Sequence, residues 1–221
     1  MNKKYIYESL LNIVDKENVK IDEPMKKHIS FRVGGPADIL VKPTTEKQLS
    51  DIIRLIKKEN VPYLIIGNGS NLLIKDGGIR GVVIEISNNF NKFEIEGTTI
   101  KIQAGALLSV VGKAVLREEL KGFEFAAGIP GTLGGALAMN AGAYGGEMKD
   151  IVKSVRVMDT DGNIFEFTNE QMEFEYRRSI LSKTDYIVLS TEIELEKGNY
   201  DEIKATMLDF TQRSDTKQPL S

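Results

Sequence analysis

The sequence predicts an α+β protein built as two lobes. Three observations point there. Up to residue 66, apolar residues follow a strand–helix–strand order. From residue 81 the pattern changes to short strands paired across glycine-containing turns. Finally, residues 125–146 carry no charged side chain and hold seven of the chain's 20 glycines, although the chain as a whole is 28 % charged.

In chain order, residues 5–14 place Ile6, Leu10, Ile13 and Val14 at helical spacing, and a polar linker is expected after them. Residues 38–42 read as a buried strand ended by Pro43. Thr45 and Gln48 form a capping-box pattern that opens a helix through Leu49, Ile52, Ile53, Leu55 and Ile56, stopped by Pro62. Residues 63–66 are a second buried strand that runs directly into Gly67-Asn68-Gly69-Ser70-Asn71 and completes a βαβ unit. Residues 82–86, 92–96 and 99–103 are strands, the last two facing each other across Gly97-Thr98. A helix is expected over 107–116, a hairpin over 151–158 and 164–167 across Asp161-Gly162-Asn163, and a last strand over 187–195. Ile203, Met207 and Phe210 give residues 200–210 a helical face, and Gln218-Pro219-Leu220 reads as a lead into another element. The expected boundaries are one lobe over 1–87, a second over 88–197, and the start of a further domain over 198–221.

Composition narrows the chemistry. The 221 residues are 41 % hydrophobic, as in a soluble globular protein. The net charge is −3 and the basic residues are scattered, so neither nucleic acid nor an anionic membrane is an expected partner. The N-terminus lacks the apolar core of a secretory signal. The absence of cysteine removes disulfides, thiolate metal sites and cysteine nucleophiles, and fits a cytoplasmic protein. His28 is the only histidine, and no His/Asp/Glu cluster has metal-ligand spacing, so no metal is expected. His28 itself reads as structural.

The uncharged stretch has about the length of a membrane span. Its glycines, Pro130, Thr132 and Asn140 make it a poor apolar helix. It reads better as main chain used as a binding surface, because glycine lets N–H groups approach a ligand without an intervening Cβ. Gly67-Asn68-Gly69-Ser70-Asn71-Leu72 follows a strand as a phosphate loop would, yet matches neither the Rossmann nor the Walker pattern. It is either a plain tight turn or a cradle for a diphosphate. Gly128-Ile129-Pro130-Gly131-Thr132-Leu133-Gly134-Gly135-Ala136, with Thr132 as a potential helix cap, is either close helix–sheet packing or a second wall. Asn140 and Gly142 continue that surface. Two such loops on different lobes suit a long ligand lying between them. Adjacent Arg177 and Arg178 beside Tyr176 are either solvated surface charges or an anion fork.

Together, residues 28–37, 67–73, 128–136, 140–145 and Tyr176-Arg177-Arg178-Ser179 resemble, in order, UDP-N-acetylmuramate dehydrogenase, the flavoenzyme family also called UDP-N-acetylenolpyruvoylglucosamine reductase. The resemblance implies the two-lobed FAD-binding fold of the vanillyl-alcohol-oxidase (PCMH) type. It implies non-covalent FAD, NADPH as co-substrate, and reduction of a UDP-sugar enolpyruvate in bacterial peptidoglycan synthesis. The implied FAD contacts are Gly67, Asn68, Gly69, Ser70, Asn71, Leu72, Gly128, Ile129, Pro130, Gly131, Thr132, Gly134, Gly135, Ala136, Asn140 and Gly142. Arg177 stands at the family's catalytic arginine, where a guanidinium meets charge growing on the enolpyruvyl carboxylate. Tyr176 and Tyr144 are implied on the substrate side, and Arg178 has no implied role. The short spacing from Ser179 to Val188 resembles the subclass without an insertion there. The family's catalytic serine and glutamate follow the Gln218-Pro219 signature, so the chain is expected to be a truncation lacking most of its substrate-binding third domain. Two other classes stay open: another oxidase of the same fold with a covalent flavin, and a non-catalytic nucleotide-binding module.

Overall fold

In a computed structural model, residues 1–217 are described; Gln218-Pro219-Leu220-Ser221, with the signature read above, lies outside the described residues. The chain forms α1 (Lys3–Leu11), β1 (Val19–Pro24), β2 (Pro36–Val41), α2 (Glu46–Lys58), β3 (Tyr63–Ile66), β4 (Ile79–Glu85), β5 (Phe93–Glu96), β6 (Thr99–Gln103), α3 (Leu108–Arg117), β7 (Leu120–Lys121), α4 (Glu124–Ala127), α5 (Leu133–Ala138), β8 (Gly142–Ala143), β9 (Gly146–Glu147), β10 (Val152–Met158), β11 (Ile164–Thr168), β12 (Ile187–Glu194), β13 (Glu196–Lys197) and α6 (Tyr200–Lys217). Two sheets dominate. The first has strand order β1-β2-β4-β3, with β4 parallel to both β2 and β3 and β1 antiparallel at the edge. The second is antiparallel throughout, in the order β11-β10-β12-β6-β5.

Period-two alternation explains the first sheet. Ile39, Val41, Val82 and Ile84 point into the main core, while Leu40 and Val83 point into a smaller core with Met25, Ile29, Ile66 and Ile74. Strands buried on both faces read as continuous apolar runs, which is how 38–42 and 82–86 look in the sequence. α2 covers the main-core face with Leu49, Ile52, Ile53 and Ile56. The main core then runs on without interruption through the second sheet, α3 and α5.

Four expectations change. The polar linker contains an edge strand, β1, whose burial alternates too weakly to be read: of Val19, Lys20, Ile21, Asp22, Glu23 and Pro24 only Val19 and Glu23 are buried. The βαβ unit is split, because β4 inserts between β2 and β3. The capping box at α2 is half as drawn: Gln48 N–H donates to Thr45 Oγ1 at 3.1 Å, but Gln48 Oε1 accepts from Thr44 N–H at 2.7 Å, one residue earlier. The last helix also continues past residue 210, to Lys217.

The two sheets are joined by charge as well as by apolar contact. Arg156 on β10 holds Glu46 of α2 in a bidentate pair at 2.7 and 3.0 Å. The β10–β11 turn docks on the same helix: Arg54 Nε donates to Asp161 O at 2.7 Å, and Lys57 pairs with the Asp161 carboxylate. Gly162 at the tip has φ +77°, and a Cβ there would fall 2.1 Å from Ser50 Oγ.

Beneath the Gly67 loop lies a buried ion cluster. His28 Nδ1 contacts Glu85 Oε2 at 2.7 Å and Nε2 contacts Glu23 Oε1 at 2.9 Å. Both neighbours are carboxylates, so both ring nitrogens donate and the imidazolium is the form that satisfies them. Lys42 and Ser87 each donate to Glu85 Oε1 at 2.8 Å. The hydrogen bond to Glu85 raises the His28 pKa; burial opposes this and Glu23 adds to it. Burial pushes the Glu85 carboxyl up, but the bonds from His28, Lys42 and Ser87 outweigh it and hold the pKa at about 2. His28 is therefore structural, as expected, and its carbonyl supports the Gly69 turn: a Cβ on Gly69 would lie 2.3 Å from His28 O. Among the described residues, no helix is long and apolar enough to cross a membrane.

The cluster fixes a pH dependence. A raised His28 pKa contributes stability in full below the unfolded value of about 6.5, and that contribution is lost as pH rises through the folded pKa. The depressed Glu85 contributes above its unfolded value near 4.5 and loses that contribution as pH falls toward about 2. Urea unfolding is thus expected to show falling stability above neutral pH. His28→Gln should remove that slope and cost about 3 kcal/mol at pH 6, because two buried carboxylates lose their partner. An unchanged alkaline slope in the variant would show that the cluster does not carry it.

Candidate functional site

The site grows from the C-terminal end of β3, where parallel strands release their loops toward ligands. Gly67, Asn68, Gly69, Ser70, Asn71 and Leu72 leave the sheet there and line one side of a cleft of about 580 Å³. Gly69 takes φ +64°, a left-handed turn that only glycine enters without strain. Among the described residues, nothing accepts a hydrogen bond from the main-chain N–H groups of residues 67–72, and the side chains of Asn68, Ser70 and Asn71 make none. A run of unpaired N–H groups with neutral side-chain donors is the chemistry of an anion cradle.

The opposite wall comes from the segment before and within α5: Ile129, Pro130, Gly131, Thr132, Gly135 and Ala136. The two walls touch at their base. A Cβ on Gly67 would fall 2.1 Å from Thr132 Oγ1, and one on Gly131 would lie 3.4 Å from Ser70 Oγ. Thr132 is 2 % exposed and its side chain does not cap α5. The first N–H groups of α5 are already used, since Leu133 N–H donates to Ala106 O at 2.9 Å and Gly134 N–H to Ala104 O at 2.8 Å. Two of the first N–H groups of α5 are therefore spent inside the protein, while those of Thr132 and Gly135, like those of the Gly67 loop, have no partner among the described residues. A second arm of about 740 Å³ shares Gly67, Thr132 and Gly135 and adds Gly134.

Among the described residues, no Asp or Glu lines the first arm, and Arg177 is its one charged residue. Arg177 and Tyr176 form the tip of a two-residue turn closed by Glu175 N–H to Arg178 O at 2.9 Å and Arg178 N–H to Glu175 O at 3.2 Å. Arg177 sits at φ +57°. The turn is braced from below by Asn140 Nδ2 to Glu175 O at 3.2 Å and by Ser179 Oγ to Ala138 O at 3.1 Å. The adjacent arginines differ. Arg178 is tied to Glu175, with Nε to Oε2 at 2.7 Å, while the Arg177 guanidinium has no carboxylate partner and lies 5.8 Å from the Tyr176 ring centroid.

Arg177 also lines a separate hollow of about 360 Å³ with Asn140, Gly142, Tyr144 and Tyr176. Tyr144 stacks on Phe210 of α6 at 4.3 Å and bonds Ser214 Oγ at 2.5 Å. Sequence reasoning missed Phe210 and Ser214 as supports of the site, since no local pattern links them to Tyr144. The structure thus gathers the Gly67 loop, Ile129, Pro130, Gly131, Thr132, Gly135, Ala136 and Arg177 around one arm. Asn140 is 2 % exposed with its amide spent on Glu175 O and Lys149 N–H, so it braces the turn from inside the protein. Gly128 lines none of these hollows.

Residues 37–168 match the family model described as an FAD binding domain. The chain is 71 % identical over 221 residues to UDP-N-acetylenolpyruvoylglucosamine reductase of Clostridioides difficile (strain 630), covering all of this chain and 73 % of that protein. It superposes on the crystal structure of UDP-N-acetylenolpyruvylglucosamine reductase from Thermus caldophilus with a TM-score of 0.77 and 32 % identity, over 91 % of this chain and 70 % of that one. The glucose dehydrogenase Phl p 4.0202 shares the fold at 16 % identity, with a TM-score of 0.68 over 89 % of this chain and 44 % of its own. An α+β body with the FAD-binding fold of the vanillyl-alcohol-oxidase type, and identity of this extent to a reductase, place the chain in the UDP-N-acetylenolpyruvoylglucosamine reductase family.

Proposed function

We propose that the cleft holds FAD non-covalently and that Arg177 directs reduction of a UDP-sugar enolpyruvate, with NADPH as the reductant, in cytoplasmic peptidoglycan synthesis. One observation carries the reading: an arm free of carboxylates, lined by two uncharged loops, that ends at an unpaired guanidinium. The residues fit the cofactor. Six unpaired N–H groups with Asn68, Ser70 and Asn71 suit a diphosphate, while Ile129, Pro130, Leu108 and Ala136 offer flat apolar wall to an aromatic ring system. When bound, FAD supplies the hydride chemistry.

The chain's own residues do the rest. The Gly67 loop fixes the diphosphate, which sets the ring system's place along the arm. Arg177 reaches both that arm and the hollow beside Tyr144 and Tyr176, so one guanidinium borders cofactor and substrate together. Hydride addition to the enolpyruvyl group puts negative charge on its carboxylate. A guanidinium already aimed there stabilises the transition state more than the ground state. Tyr176, 86 % exposed at the turn, and Tyr144 offer faces for the substrate. A covalent flavin through histidine is disfavoured, because His28 is locked between Glu23 and Glu85 and does not line the cleft.

The domain reading joins this proposal: the first sheet (to residue 87) and the second (88–197) serve as the two FAD-holding lobes, and 198–221 leads toward a substrate domain. The resemblance assigns a catalytic serine and glutamate that are not among these 221 residues.

Two outcomes are expected. The 221-residue polypeptide should bind FAD, read as a yellow complex with perturbed flavin absorbance. Gly67→Ala should abolish it, since the new methyl meets Thr132 Oγ1 at 2.1 Å, and Gly67→Ala with Thr132→Ala should recover much of the binding. A colourless wild-type protein in excess FAD would sink the reading. Without the serine acid, enolpyruvate-dependent NADPH oxidation should run about 10²–10⁴-fold slower than in longer relatives. Arg177→Ala should lower that residual rate by roughly a further 10²-fold while the yellow complex persists. Equal rates with and without the guanidinium would remove Arg177 from the chemistry.

A further inference from the structure

The hollow beside Arg177 is closed by a residue held in a conformation that side chains avoid. β8 and β9 are joined by Tyr144 and Gly145 alone, and both sit at positive φ, +55° and +90°. Two-residue hairpin turns of this kind favour Asn-Gly, and for a bulky aromatic the first position is strained. Such strain persists only where the surroundings over-determine it. The base of the hairpin is fixed by the core: Met148 N–H donates to Ala141 O at 3.0 Å, and both residues are buried. Its tip is fixed by α6. Phe210 stacks on the Tyr144 ring with centroids 4.3 Å apart and planes at 14°, and the Tyr144 hydroxyl lies 2.5 Å from Ser214 Oγ. Phe210 and Ser214 stand one turn apart on one face of α6, and Ile203 and Met207 anchor that helix against the body of the protein. Tyr144 makes no other side-chain hydrogen bond or ring contact among the described residues.

With its hydroxyl taken by Ser214 and one ring face covered by Phe210, Tyr144 has its other face to offer, and it lines the hollow with Tyr176 and Arg177. A tyrosine free to turn would be ordered only as a ligand arrived, and binding would bear the lost rotamer entropy. Held from α6, the ring is a wall already in place. We propose that Phe210 and Ser214 are positioning residues for the substrate: from α6 they fix Tyr144 beside Arg177, so that a carboxylate-bearing sugar ligand meets a guanidinium and an aromatic face that are both set in advance. The proposal rests on the reading of this hollow as the substrate side and adds to it the helix that shapes it. Neither Phe210 nor Ser214 lines the hollow or either arm of the cleft, so each acts through Tyr144.

The test is a calorimetric titration of the 221-residue chain with UDP-sugar enolpyruvate, in excess FAD and without reductant, so that binding is read and no turnover intervenes. Ser214→Ala is expected to weaken substrate binding about fivefold, the effect of one neutral hydrogen bond. Tyr144→Phe should match it, and the two together should weaken binding no more than either alone, because they break the same bond. Ser214→Thr, which keeps the hydroxyl, should restore most of the affinity. FAD affinity should stay constant across the series, since none of these residues lines either arm of the cleft. A bond that serves folding alone would lower the melting temperature of Ser214→Ala and leave its substrate titration unchanged. That result, or full additivity of the two substitutions in the titration, would overturn the proposal and leave the substrate reading standing. A chain that takes up FAD but gives no heat with the substrate defeats the substrate reading and this proposal with it. Substrate binding that responds to Ser214→Ala in a chain that takes up no FAD supports this proposal and defeats the flavin reading alone.

Discussion

The site depends on the Gly67 main chain and the Thr132 side chain lying closer together than a single methyl group on Gly67 would permit. Gly67 follows a parallel strand and Thr132 opens a short helix, and the Thr132 hydroxyl takes the place that a Cβ on Gly67 would need. They belong to different parts of the fold, so their approach is set from outside. On one side, His28 and its ion cluster seat the chain beneath Gly69, and Ser30 N–H donates to Gly69 O at 3.2 Å. On the other, Leu108 N–H donates to Gly131 O at 3.1 Å and Leu133 N–H to Ala106 O at 2.9 Å, stitching the second wall to the β6–α3 connection. Each loop is held by its own sheet, and the cleft is the gap left where the two supports meet.

Electrostatics then divides that gap. A guanidinium left without a carboxylate costs little while water reaches it, and becomes valuable when an anionic ligand arrives. Arg177 is kept in that state by its neighbour's opposite fate. Arg178 is occupied by Glu175, so Glu175 is not offered to Arg177. The left-handed φ of Arg177 costs about 1 kcal/mol for a side-chain-bearing residue, and the Asn140 and Ser179 bonds hold the turn against it. Strain at one residue is tolerated because these two bonds and the turn's own pair of main-chain bonds over-determine it.

Much of this was legible in the sequence, for physical reasons that also explain the failures. β2 and β4 are buried on both faces and show as apolar runs; α2 shows as a 3.6-residue stripe with a cap. The glycine loops were visible because a residue without a side chain advertises close approach. β1 was not visible, since only Val19 and Glu23 of its six residues are buried and they leave no apolar alternation to read. Strand order was not visible either: β4 enters between β2 and β3 through pairing that no local pattern encodes. At the site, composition identified segments that line the cleft but not which atoms are free. Asn140 looked like a ligand-binding amide and is a buried brace, while Ser214 and Phe210 carried no motif and acquired their places only through folding.

Which atoms are free also decides how the diphosphate is held. A helix start attracts phosphate through unpaired N–H groups and the dipole behind them. α5 offers neither in full, because Leu133 and Gly134 have given their N–H groups to Ala106 and Ala104 and the helix is only six residues long. The donors that remain among the described residues are the main chain of residues 67–72, the N–H groups of Thr132 and Gly135, and three neutral side chains. An anion held in this way is held by hydrogen-bond geometry more than by opposing charge, and such contacts inside a cleft are screened far less by salt than a surface ion pair. The cation is thereby reserved for the other end of the arm. In the proposed function, Arg177 is not consumed in binding phosphate and stays available to meet a substrate carboxylate as charge accumulates there.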